Sequence, residues 1–191
     1  MMKFREFLPV RRDNPKQVRR YSEHKDELRE DFHERCGYCG DSDYFRMEYY
    51  EVDHFAPKEV LKAIGITDYS NLVYSCRSCN NSKRDKWPTE DEHVHNDGNV
   101  GFIDPCNADY DKQFERNADG SIVPQTPLGT WMFSALNLGN PKHRIVWMLT
   151  AIKERLELLK SLDLESLDAE RSRAIIELYR QYMTLEDTLR K

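Results

Sequence analysis

The chain has 191 residues, 39% hydrophobic and 33% charged, with a formal net charge of −5. That is apolar enough for a core, and the acidic balance argues against a protein that coats nucleic acid non-specifically, while leaving room for a local basic surface. No apolar run reaches the roughly 18 residues of a membrane span, and the opening "MMKFREFLPVRRDN" lacks an apolar h-region, so a cytoplasmic protein with no membrane partner is expected.

In chain order, residues 14–35 read as a highly charged, mostly exposed helix or arm, with Pro15 in its first turn. "CGYCG" then makes a tight turn, with Gly37 and Gly40 supplying backbone freedom. Tyr44 to Phe55, "YFRMEYYEVDHF", is aromatic and β-branched and reads as a strand, ended by Pro57. "KEVLKAIG" reads as a short helical insert closed by Gly65, and Asn71 to Ser75 as a short apolar strand. Cys76 to Lys86 reads as a helix stopped by Pro88. Residues 91–104 are loop-like, and "ADYDKQFERNADGSIVPQ" reads as two strands around the turn "NADG".

The last third is helical. Ile145, Leu149, Ile152, Leu156 and Leu159 form one apolar stripe, and Ile175, Leu178, Tyr182 and Leu185 another. Both read as core faces before partner surfaces. The expected class is α+β, with an N-terminal helical arm (1–35), a central unit (36–88) and an extension of loop, hairpin and helices (89–191).

An odd cysteine count without a signal peptide favours metal binding over disulfides. Cys36-x2-Cys39 and Cys76-x2-Cys79 offer four thiolates from two tight turns, which closes a tetrahedron around zinc and leaves no position for water. Such a zinc is structural. Cys106 reads as a free buried thiol. Between the knuckles, Asp53 and His54 sit where the strand is ending, so both can serve one site although neighbours in a strand face opposite ways.

The texts "CGYC", "VDHFAPK" and "NLVYSCRSCNNSK" resemble the HNH endonuclease family over about Cys36 to Lys83. The resemblance implies a ββα-metal core (a His-Me finger) with a catalytic magnesium or manganese. By that resemblance Asp53 is a metal ligand, His54 the general base and Asn71 the residue that orders the loop and the histidine. Asn80 is the asparagine variant of the second metal ligand, replacing the histidine that ends the family's name. Lys83, Arg84 and Lys86 would supply a phosphate-binding surface, and DNA would be cut to leave 5′ phosphates and 3′ hydroxyls. The region from "GFIDPCNADYDKQFERNADGSI" onward is similar to retron-associated and Septu-type anti-phage HNH nucleases, which implies a retron or ATPase partner. Asp104, His93 and His95 read first as loop residues, with substrate contact as the alternative. The competing functions are a catalytically silent zinc-knuckle module that binds nucleic acid or protein, and a mobile-element nuclease of the same chemistry.

Overall fold

The computed structural model describes residues 2–160 and 167–190. At its centre two short strands, β1 (Tyr50–His54) and β2 (Leu72–Cys76), pair antiparallel, with Tyr50 opposite Cys76 and His54 opposite Leu72. Helices α1 (Lys25–Asp31) and α2 (Arg77–Lys83) both pack on the pair, and every residue of β2 is buried. The sequence of β2 fits this, because "LVYSC" is apolar or small throughout rather than alternating. The hairpin and the helix that follows it are the ββα unit expected from the sequence.

Several boundaries differ from expectation for identifiable reasons. The N-terminal helix is confined to a 3-10 turn at Tyr21–His24 and α1, and it is docked rather than exposed, with Leu28 and Phe32 buried. Its approach segment is tied instead by side chains: Arg12 bonds Asp31 and Glu30, and Glu27 accepts the Lys16 N–H at 3.0 Å. The strand expected from Tyr44 begins at Tyr50, because Asp43–Phe45 and Met47–Tyr49 coil into 3-10 turns. Asp43 anchors that coil, buried between the Arg29 guanidinium at 2.5 Å and the Tyr74 hydroxyl at 2.7 Å.

The insert "KEVLKAIG" holds a 3-10 turn over Lys58–Val60. Beyond it, Glu92 accepts the backbone N–H groups of Lys62, Ala63 and Ile64, occupying donors that a continuing helix would have used. Helix α2 stops at Lys83, earlier than Pro88 requires, because Arg84 turns to φ +48° and its N–H returns to the Asn80 carbonyl. Gly40, at φ +73°, supplies backbone freedom as expected. Gly37 supplies space instead: a Cβ there would lie 2.6 Å from the Phe32 ring and 2.8 Å from Val73.

One hydrophobic core runs from Phe4 to Leu138 and draws on all three sequence regions. Two buried arginines cross-link it. Arg5 donates to the Gly37 and Pro105 carbonyls and pairs with Asp111 at 2.6 Å. Arg116 donates to the Cys39, Phe4 and Gly120 carbonyls. Arg116 ends β3 (Phe114–Arg116), which pairs with β4 (Ile122–Pro124) around the expected turn, where Gly120 sits at φ +83°.

Helix α3 (Pro127–Ala135) is capped by Thr126, and α4 (Pro141–Leu159) by Asn140, each with proline in its first turn. Helix α5 (Ala169–Arg190) packs along α4. Leu149 and Ile152 are buried, and Ile145, Tyr182 and Leu185 pack against Val146, Leu149 and Leu189, so the first stripe is core around Leu149 as expected and the second joins it at Tyr182 and Leu185. Leu156, Leu159, Ile175 and Leu178 are half-buried. No helix of the described residues is long and apolar enough to cross a membrane.

Candidate functional site

The four cysteines of the paired knuckles are buried thiols whose Sγ atoms lie within 4.8 Å of one another. Cys39 and Cys76 have their sulfurs 3.8 Å apart. A tetrahedron with metal–sulfur bonds of about 2.3 Å has edges near 3.8 Å, so the cluster is already sized for zinc. One knuckle turns between α1 and the 3-10 coil, and the other spans the end of β2 and the start of α2. The fold therefore closes the cluster by bringing two distant sequence segments together. Cys106 stands apart and is half-buried rather than buried, and burial pushes its thiol up to about 12.

Asp53 and His54 end β1 and, with Asn80 of α2, line one cleft of about 480 Å³. Asp53 is buried, and its Oδ2 accepts the Tyr38 hydroxyl at 2.6 Å and faces the Lys83 ammonium at 3.2 Å. Burial raises the Asp53 pKa, while Lys83 and the Tyr38 hydrogen bond oppose that rise. His54 is held at Nε2 by the Ile66 carbonyl, 2.8 Å away, and its ring meets Tyr21 edge-on at 4.5 Å. A carbonyl only accepts, so Nε2 carries the proton and Nδ1 is the basic nitrogen. Burial lowers the His54 pKa, with Lys58 and Lys83 pushing the same way and the Ile66 carbonyl and Asp53 opposing.

Asn71 clamps the loop that follows β1. Its Oδ1 accepts the Ala56 N–H at 2.8 Å, its Nδ2 donates to the Ala56 carbonyl at 3.0 Å, and its own carbonyl accepts the Phe55 N–H. Asn80 donates from Nδ2 to Glu51 at 2.9 Å, and Glu51 also pairs with Arg77 at 2.7 Å. The amide nitrogen is thereby committed, which leaves Oδ1 as the side-chain atom able to meet a cation. An Asp carboxylate and an amide oxygen on one cleft are hard donors of the kind magnesium and manganese take.

The three expected phosphate contacts separate. Lys83 is fully buried, its ammonium bonded to the His54 carbonyl at 2.7 Å, so it faces the protein interior rather than a phosphate surface. Lys86 turns to the end of α3 and donates to the Ala135 carbonyl at 3.1 Å. Arg84 alone of the three lines the cleft, where Lys58 joins it. The loop residues are engaged elsewhere: Asp104 pairs with Arg11, His95 packs on Phe55 and Trp87, and His93 pairs with Glu92.

Sequence reasoning missed Tyr38, Glu51, Lys58 and the Ile66 carbonyl. Lys58 stood inside the "VDHFAPK" match and Glu51 directly before it. Tyr38 lies between two zinc-type cysteines, a position whose partner the spacing does not reveal. The Ile66 carbonyl carries no side-chain signal at all.

Residues 36–86 match the family model of the HNH endonuclease. Over 118 residues the chain is 29% identical to the Septu protein PtuB of Bacillus mycoides (strain KBAB4), covering 51% of this chain and 40% of that protein. The chain thus spans about two fifths of the length of that curated relative. No solved structure matches. The segment that matches the HNH endonuclease family thus holds the ββα unit and the four-cysteine cluster, in a chain that is similar to Septu protein PtuB.

Proposed function

We propose that this chain is a metal-dependent HNH endonuclease that hydrolyses DNA phosphodiester bonds in anti-phage defence, together with a partner subunit. The observation that carries the reading is the convergence of Asp53, His54 and Asn80 on one cleft, with the histidine held in a single tautomer. The defence role rests on the similarity to Septu protein PtuB, and the partner, an ATPase or retron component, on the resemblance of the region after the core to retron-associated and Septu-type nucleases.

His54 Nδ1 takes the proton of the attacking water, and the Ile66 carbonyl keeps the ring oriented for it. Asn71 fixes the loop that carries this geometry. Asp53 and Asn80 would hold magnesium or manganese, which when bound would offset phosphate charge and stabilise the leaving oxygen. Arg84 and Lys58 face the same cleft and hold the flanking phosphates. Cys36, Cys39, Cys76 and Cys79 would hold zinc, and with four thiolate ligands from the protein that zinc would be structural.

The test is nicking of supercoiled plasmid with added magnesium or manganese. His54→Ala is expected to lose about 10²–10⁴-fold in rate, the usual weight of a general base, with unchanged circular dichroism and zinc content. Parent-like cutting by the folded variant would remove His54 from the mechanism.

A further inference from the structure

Helix α2 has a second cavity on its other side. Asn80 and Arg84 line the catalytic cleft, whereas Arg77, Ser78 and Asn81 line a separate cavity of about 240 Å³. Its walls are unlike those of the cleft. Phe45, Tyr49 and Tyr50 form an aromatic side, and Val146 and Leu189, from the α4–α5 pair, form an aliphatic one. The size lies below the ~300–1,000 Å³ of drug-sized pockets, so it suits one ring-sized group.

Three observations give the chemistry of that group. The Arg46 guanidinium lies 3.9 Å over the Tyr49 ring, making a flat cationic and aromatic platform of the kind on which nucleobases stack. Lys142, exposed at the rim, adds a positive charge placed for a phosphate. His143 lines the cavity with a side chain only 3% exposed, and its Nε2 has no hydrogen-bond partner among the described residues. Its Nδ1 is bound to the Asp41 carboxylate at 2.6 Å, so Nδ1 carries a proton and Nε2 is the ring atom left over. A buried polar atom without a partner calls for one, and the edge of a base, which carries both donors and acceptors, can supply it.

The cavity is also tied to the cleft. Glu51 bonds Arg77 on the cavity side and Asn80 on the cleft side, so one seven-residue helix separates the two sites. We infer that the cavity takes an unpaired base of the strand being cut, an inference that rests on the nuclease reading above. The substrate class is then nucleic acid with an unpaired nucleotide beside the scissile phosphate, rather than uninterrupted duplex.

Binding is measured on the His54→Ala protein without added magnesium, so that cutting does not interfere. The probes are a blunt duplex, the same duplex with one unpaired adenine, and dAMP alone. The unpaired adenine is expected to tighten binding roughly tenfold, within the range of one base–aromatic stack. Val146→Trp, which fills the cavity, and Tyr49→Ala, which removes the platform, should each abolish that preference and leave duplex binding unchanged. Lys142→Gln should lower the salt slope by about 1, as for one lost phosphate contact.

Equal affinity for the two duplexes overturns the inference, as does a preference that survives Val146→Trp. Should Val146→Trp fail to fold, Tyr49→Ala decides by the same criterion. Binding of dAMP that Val146→Trp removes, with no preference between duplexes, makes the ligand a free nucleotide and overturns the strand assignment. Plasmid nicking by the parent separates the two readings: nicking without the preference sinks this inference alone, and the preference without nicking sinks the nuclease.

Discussion

A buried ammonium against a buried carboxylate is the interaction that most changes the picture of single residues. Lys83 is fully buried and Asp53 nearly so, and each would leave the other an unpaired buried charge. Lys83→Met is therefore expected to destabilise the fold by about 3–5 kcal/mol, the usual range for breaking a buried pair. Denaturant unfolding measures this, and a loss below about 1 kcal/mol would return Lys83 to the surface role that sequence gave it. Asn80→Ala is expected to keep zinc yet need much more magnesium for the same rate, because Asn80 follows a zinc ligand but turns its amide into the other site. Zinc content measured beside a magnesium titration tests it. Loss of zinc, or an unchanged titration, would remove Asn80 from the ligand set. The presence of a lysine one turn after Asn80 was legible in the sequence. Its inward direction was not, since that depends on Asp53, Tyr38 and the His54 carbonyl meeting from three separate segments.

At the scale of elements, the loop between β1 and β2 carries the histidine's support. The Ile66 carbonyl holds His54, and Glu92 holds the stretch just before it through the Lys62, Ala63 and Ile64 N–H groups. Glu92→Ala should speed hydrogen exchange at those three amides and lower the cleavage rate, with little change in global unfolding. Parent-like exchange there would show that the loop is held by other means. The sequence made β2, α2, the β3–β4 turn and the α4 stripe legible, because apolar runs, turn residues and helical spacing are local signals. It misread the start of β1 and the "KEVLKAIG" insert. In both places side chains distant in sequence override local preference: Arg29 and Tyr74 capture Asp43, and Glu92 captures the insert's donors.

Across the whole molecule, the HNH segment does not stand alone. Arg5 and Arg116 reach the first cysteine knuckle from either side of it in the sequence, and the core that surrounds it runs from Phe4 to Leu138. A fragment of residues 36–88 is therefore expected not to fold even with zinc, whereas the full chain should unfold in one cooperative step when the metal is stripped. Circular dichroism of the fragment with zinc added checks the first statement, and a native-like spectrum would make the flanking regions dispensable.

The hydroxyl of Tyr38 has a further consequence. This residue sits between two cysteines of the four-cysteine cluster and donates to the carboxylate proposed to hold the catalytic ion, so the two proposed metal sites are joined by a single phenol. Their energies should not add. Tyr38→Phe and Asp53→Asn, made singly and together, are expected to show a coupling energy of about 0.5–3 kcal/mol in a double-mutant cycle, the range for residues in direct contact. A knuckle usually thought of as scaffold would then share its free energy with the chemistry, and changes at either position would be felt at the other.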